Sequence, residues 1–167
     1  MDLGCGAGDL ARVLVRRECD VIGFDIDPKA VEQARMFCAH AGIADLDTVA
    51  LDELLGDDRF DVIVLADVLQ YLRKPVALLD RARDLLREGG YVVAMVPNAG
   101  HGARRLAMLD GNLETLESAG GESGHGYTVK AFDELFLSSG YRLDALQRTQ
   151  QPIFSAASGG LDAADYD

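Results

Sequence analysis

Met1-Asp2-Leu3-Gly4-Cys5-Gly6-Ala7-Gly8-Asp9-Leu10 opens the chain, and its reading decides the fold. An acid and a leucine run into three glycines at alternate positions, and an apolar helical pattern follows at once. This is the end of a buried strand, a tight turn and the start of a helix. Glycine allows positive φ in such a turn and leaves no Cβ to obstruct a ligand. The helix that follows points free N–H groups and the positive end of its dipole over the turn, as a nucleotide-type cofactor site requires. A dinucleotide turn wants G-x-G-x-x-G. The sixth position from Gly4 is instead Asp9, a carboxylate where a pyrophosphate would need the helix end.

Outward from this turn, Leu10, Val13 and Leu14 share one face of a helix reaching about Arg17. Val21-Ile22-Gly23-Phe24 reads as a short buried strand ending in Asp25. Asp27 can cap, and Pro28 open, a second helix with Ala30, Val31, Ala34 and Cys38 inward and Gly42 as its stop. Strand, helix, strand, helix in that order predicts a parallel sheet with right-handed crossovers. The third strand falls either in residues 42–46 or in 48–51, before a helical turn at 52–55. Residues 60–65 make the strongest strand, apolar after Asp61 as in a strand covered on both faces. A helix opened by Pro75 carries its apolar face through Leu85 and Leu86 to a stop at Gly89-Gly90, and 91–96 form a fifth strand. Ala103, Leu106 and Ala107 mark a short helix, and 112–126 a glycine-rich loop of the kind that serves as a lid. Phe132, Leu135 and Phe136 belong to a last helix stopped by Gly140. Residues 141–146 alternate like a strand with one exposed face. The expectation is one domain over 1–154 and a poorly ordered acidic tail over 155–167.

The chain has 167 residues and a formal net charge of −12, from 28 acidic and 16 basic side chains. One domain with a real core fits that length. The acidic field disfavours nucleic acid and anionic membrane surfaces as partners and admits a neutral or cationic small molecule. There is neither a long charge-poor apolar run nor a basic-then-apolar leader, so the expected location is cytoplasmic. Cys5, Cys19 and Cys38 are odd in number and lack C-x-x-C spacing, which predicts reduced thiols and no metal site. For Cys5, a small residue that fits the turn is a better reading than a catalytic thiol. Oligomeric state leaves no trace in the sequence.

Four blocks resemble class I S-adenosylmethionine-dependent methyltransferases in order. They are the opening D-L-G-C-G-A-G; Gly23-Phe24-Asp25-Ile26-Asp27-Pro28; Phe60-Asp61-Val62-Ile63-Val64 through Val68-Leu69; and Leu86-Arg87-Glu88-Gly89-Gly90-Tyr91 through Val96-Pro97-Asn98. Pro97-Asn98-Ala99-Gly100-His101 with Arg105-Leu106 is similar to a bacterial subset acting on small molecules. The resemblance implies a Rossmann-like, doubly wound, mostly parallel α/β sheet, with S-adenosylmethionine at the carboxyl ends of its first strands.

In that setting Asp25 would accept from both ribose hydroxyls, with Ile26 beside it. Asp45 followed by Leu46 resembles the family's adenine-edge pair, with Asp52 competing should the third strand lie later. The amides around Gly4, Cys5, Gly6 and Gly8 suit the methionine carboxylate, and Asp2 or the carbonyl of Ala66 suits its ammonium. Methyl transfer is an in-line displacement that relies on alignment, and it needs a base only where the acceptor must lose a proton. The candidates for such a base are Asp67, Tyr71, His101 and His125. Related sequences commonly have Glu-His where this chain has Gln70-Tyr71.

Only three residues precede the glycine turn, so the first strand is expected to be a stub. No apolar run after Leu146 supplies a complete seventh strand. The expected activity is therefore methyl transfer to an oxygen, nitrogen or carbon of a small molecule, by a truncated chain. A catalytically silent S-adenosylmethionine-binding or interaction module is the first rival. A nicotinamide-dependent oxidoreductase is the second, opposed by Asp9 in place of the third glycine.

Overall fold

The computed structural model describes residues 1–110 and 126–148. The predicted lid and tail lie almost wholly outside them. Among the described residues five strands and six helices follow in order: β1 (Asp2–Leu3), α1 (Asp9–Val15), β2 (Ile22–Asp25), α2 (Pro28–Ala34), β3 (His40–Ile43), α3 (Leu51–Leu55), β4 (Phe60–Ala66), α4 (Pro75–Asp84), β5 (Leu86–Met95), α5 (Gly102–Leu109) and α6 (Val129–Ser138). A 3-10 turn at Leu69–Tyr71 joins β4 to α4. All strand pairs are parallel, in the order β3-β2-β1-β4-β5. The doubly wound α/β expectation holds. The central strand is indeed a stub, registered by Asp2 on Gly23 and Val64 and by Leu3 on Phe24.

Each face of the sheet has its own core. Leu3, Phe24, Ile63 and Leu65 pack against Leu51 and Leu55 of α3 and Leu78, Leu79 and Ala82 of α4. On the other face Cys5 and Ala41 meet Val31 and Ala34 of α2. Each fully buried leucine in the larger cluster contributes about 1.5–3 kcal/mol of burial, so this side anchors the strands that carry the turn.

Four local expectations are corrected. Helix α2 ends at Ala34, and the segment beyond it closes in turns, with the amides of Phe37 and Cys38 both donating to the Ala34 carbonyl. Cys38 therefore lies beyond the helix, and Gly42 is a strand residue that leaves room for the Phe24 ring. Leu86 belongs to β5, where it pairs with Phe60. The next pair is Val62 with Tyr91, so Gly89-Gly90 sits in a bulge instead of stopping a helix. The β4–β5 edge of the sheet, expected to be covered on both faces at β4, is covered on one face only, since Val62 of β4 and Tyr91, Val93 and Met95 of β5 are exposed. Residues 141–146, expected as a strand, pair with no strand among the described residues. Tyr141 instead donates its hydroxyl to the Leu79 carbonyl at 2.7 Å, closing an edge-on aromatic series from Tyr127 through Phe132 and Phe136.

Candidate functional site

The chain order reverses between β1 and its neighbours β2 and β4, and open α/β sheets bind ligands at the carboxyl ends of strands beside such a switch. The glycine turn sits there. Gly4, Gly6 and Gly8 have φ of 85, 52 and 84°. The amides of Gly4 and Cys5 donate to the Phe24 carbonyl at 2.7 and 3.0 Å, and Gly8 N donates to the Cys5 carbonyl at 3.0 Å.

The glycines are not equivalent, which corrects the expectation that all three clear space for a ligand. A Cβ on Gly4 would stand 3.0 Å from the Val68 side chain, and one on Gly8 would stand 2.9 Å from the Ala34 Cα. A Cβ on Gly6 would meet nothing within 4 Å. Gly4 and Gly8 allow close packing; Gly6 opens onto free space.

Asp25, ending β2, turns its carboxylate to that turn: Oδ2 accepts from Gly6 N at 2.8 Å and Oδ1 from Asp27 N at 3.0 Å. Asp27 caps α2 by accepting from Lys29 N, as its spacing predicts. Asp2 lies beneath, only 2% exposed, and its Oδ1 has no hydrogen-bond partner among the described residues. Burial pushes its carboxyl up to about 6; the N-terminal ammonium opposes the shift and Asp25 adds to it.

A folded-state value near 6 means that the native state keeps a proton which the unfolded chain releases from about pH 4 upward. Stability therefore declines as pH rises through that window, and the penalty, on the order of 3 kcal/mol, is complete above the folded value. Asp2→Asn is expected to raise the melting temperature of the ligand-free protein at pH 7.5 and to leave it nearly unchanged at pH 4. Thermal denaturation at the two pH values checks this.

The remaining predicted residues are strung along the same edge of the sheet. Asp45, just past β3, is exposed, and its Oδ1 accepts from Asp47 N at 3.0 Å. β3, at His40–Ile43, begins before either predicted position and overlaps the earlier one, 42–46, only at Gly42 and Ile43; Asp52 falls in the first turn of α3. Ile26 is 67% exposed beside Asp25, whereas Leu46 buries its side chain in the core. Ala66 ends β4 opposite Met95, and Asp67 follows in the left-handed region at φ 53°. An aspartate held there stores about 1 kcal/mol of strain, of the kind that clusters at functional sites. Tyr71 is 49% exposed, and His101, after β5, is partly buried with its amide donating to the Asn98 carbonyl. His125 lies outside the described residues.

The Cys5 side chain is buried in the smaller core cluster beneath the turn. Its Sγ and that of Cys38 approach the position of a Gly23 Cβ to 2.9 and 3.2 Å, and burial pushes the Cys5 thiol up to about 12. Gln70, noted in the sequence only as a departure, is 2% exposed, and its Oε1 has no partner among the described residues. Among those residues no three His, Cys, Asp or Glu side chains converge as a metal site, and no helix is long and apolar enough to cross a membrane.

Known proteins share this fold. The magnesium protoporphyrin IX methyltransferase of Synechocystis, solved with bound S-adenosylhomocysteine, superposes with a TM-score of 0.67 at 17% identity, over 92% of this chain and 68% of that one. A S-adenosylmethionine-dependent methyltransferase of Thermotoga maritima, described as a possible histamine N-methyltransferase, gives 0.66 at 18% identity over 85% and 62%. At such identities the likeness is one of fold. In sequence, the ubiquinone biosynthesis O-methyltransferase of Cereibacter sphaeroides is 33% identical over 112 residues, 65% of this chain and 45% of that protein. The protein of the same name from Xylella fastidiosa is 30% identical over 112 residues, 65% and 46%. The chain thus spans under half the length of these curated relatives. A family model described as a methyltransferase domain matches residues 1–146, through every element of the cleft, and the chain belongs to that family.

Proposed function

We propose that the chain binds S-adenosylmethionine at the glycine turn and directs its methyl group to an oxygen, nitrogen or carbon of a small molecule. The carrying observation is the Asp25 carboxylate tied to Gly6 N, above the unpartnered, buried oxygen of Asp2. Asp25 and Asp2 fit the cofactor, whereas the amides of Gly4, Cys5, Gly6 and Gly8, expected to hold its methionine carboxylate, already donate to Phe24, Asp25 and Cys5. Each Asp25 oxygen keeps a second lone pair for a ribose hydroxyl. Asp2 is a desolvated acid whose carboxyl stays raised despite the N-terminal ammonium, and a second ammonium beside it, shared with the Ala66 carbonyl, would lower its pKa again. Open space above Gly6 admits the ligand, and exposed Ile26 offers an apolar surface for the base, with Asp45 in reach as acceptor for its amino group. When bound, the cofactor supplies an electrophilic methyl on a sulfonium.

The protein's part is alignment. Asp67, Tyr71 and His101 stand at the β4 and β5 ends, where an acceptor would approach, and His101 or Asp67 would take a proton from an acceptor that must lose one. Relatives named as O-methyltransferases favour oxygen as the acceptor atom. The acidic charge supports a small molecule over nucleic acid, and three unpaired thiols support a reducing, cytoplasmic setting. Gln70-Tyr71 in place of Glu-His favours the second reading, a binder without turnover.

Calorimetric titration with S-adenosylhomocysteine should give one site per chain. Incubation with methyl-labelled donor and a panel of phenols and amines then separates enzyme from silent binder. A titration without heat or saturation at millimolar ligand would sink the reading.

A further inference from the structure

The loop after β3 is held by α4. Helix α4 has no side-chain bond from its N-cap residue Lys74, and Pro75 at its start has no N–H; the amides of Arg73 and Lys74 lie immediately ahead of it. Asp47, 26 residues upstream, meets both: Oδ1 and Oδ2 accept from Arg73 N at 2.9 and 3.1 Å, and Oδ1 accepts from Lys74 N at 3.1 Å. A carboxylate at the start of a ten-residue helix is also favoured by the helix dipole. Asp47 donates its own amide to Asp45 Oδ1 at 3.0 Å. Further along α4, Arg81 ties the same loop a second time, donating Nη2 to the Leu46 carbonyl at 3.2 Å and Nη1 to the Val49 carbonyl.

The consequence follows from topology. β3 and β4 are separated in the sheet by β2 and β1, so the loop carrying Asp45 and the segment carrying Asp67, Gln70 and Tyr71 stand on opposite banks of the cleft. Hydrogen bonds between strands do not connect them. Asp47 does, through Asp45 on one bank and Arg73-Lys74, directly after Leu72, on the other.

We infer that Asp47 is a positioning residue that fixes Asp45 against the 67–74 segment and so couples occupancy of the cofactor's adenine end to the conformation of the acceptor bank. This rests on the cofactor reading proposed above. The coupling needs no contact between Asp47 and either ligand; what is required is that one side chain hold both loops in a single arrangement.

The test uses the full chain, well below its melting temperature, with S-adenosylhomocysteine as probe. In the wild type the ligand should slow hydrogen exchange of the Arg73 and Lys74 amides. Asp47→Ala should weaken binding about tenfold, the equivalent of one good hydrogen bond, and abolish that protection. Asp47→Asn, whose amide oxygen can still accept from the same groups, should restore most of both. Arg81→Met, which removes only the second tie, should weaken binding without removing the protection, and it serves if Asp47→Ala does not fold. An Asp47→Ala protein with a lowered melting temperature but unchanged affinity and protection would show a merely structural cap and overturn the inference. A wild type that does not bind the probe fails the cofactor reading instead, so the two failures are told apart by the wild-type titration.

Discussion

Asp25→Ala is expected to weaken S-adenosylhomocysteine binding by on the order of 100-fold or more. Two charge-assisted bonds to ribose hydroxyls at about 1.5–3 kcal/mol each set the scale. A second loss adds to the first, because the same carboxylate holds Gly6 N at 2.8 Å and Asp27 N at 3.0 Å. Alanine leaves both amides without that acceptor and frees the turn to rearrange, so part of the effect is lost preorganisation. Asp25→Asn separates the two contributions. An asparagine oxygen can still accept from one amide and keep the turn's shape, but it offers a single neutral acceptor to the sugar, so an intermediate affinity is expected. Calorimetry at a temperature where all three proteins are fully folded gives the comparison. Equal affinities for wild type and Asp25→Ala would remove the ribose assignment.

Asp25 also shows which parts of this molecule are legible in the sequence. Its place at the end of a short apolar run, just before a cap-and-proline helix start, is a local pattern, and the structure keeps it to the residue: β2 ends at Asp25, Asp27 caps, and Pro28 opens α2. The glycine turn is local in the same sense, since its φ values and its bonds to Phe24 follow from residues adjacent in the chain or in the neighbouring strand. Where helical periodicity alone was available, it misled. Cys38 continues the inner face of α2 on paper, yet the chain turns back at Ala34 because the Ala39 amide donates to the Val21 carbonyl and draws the segment into the sheet.

Other features depend wholly on distant partners. Gly42 looks like a helix stop until the Phe24 ring is seen filling the space beside it, and Gly89-Gly90 like another until Leu86 is paired with Phe60. The alternation in 141–146 is a sound strand pattern, but it cannot supply the neighbour that pairing needs. Within the site, the unpartnered oxygens of Asp2 and Gln70 are properties of burial, and the span of Asp47 across 26 residues has no local signature at all.

Substitutions at Gly8 and Gly6 should separate fold from site, although both glycines belong to one turn and both have positive φ. At Gly8 an added Cβ would stand 2.9 Å from the Ala34 Cα and 3.3 Å from its Cβ, and Ala34 is a fully buried residue of α2. Backbone cannot swing aside as a flexible side chain would. Gly8→Ala therefore combines left-handed strain, about 1–2 kcal/mol, with overpacking of about 1–3 kcal/mol. For a domain of this size the melting temperature should fall by roughly 4–20 °C. At Gly6 nothing lies within 4 Å of the added atom, so Gly6→Ala carries the strain alone and melts only a few degrees lower.

In binding the order inverts. Gly6→Val places a β-branched side chain where the ligand enters, and this folded protein should show no detectable uptake of S-adenosylhomocysteine, while Gly8→Ala, measured in the cold, should retain weakened binding. The contrast rests on one geometric statement: the space above Gly6 belongs to the ligand, and the space beside Gly8 belongs to α2. A Gly6→Val protein that bound normally would place the ligand elsewhere, and a Gly8→Ala protein as stable as wild type would mean that α2 does not pack on the turn.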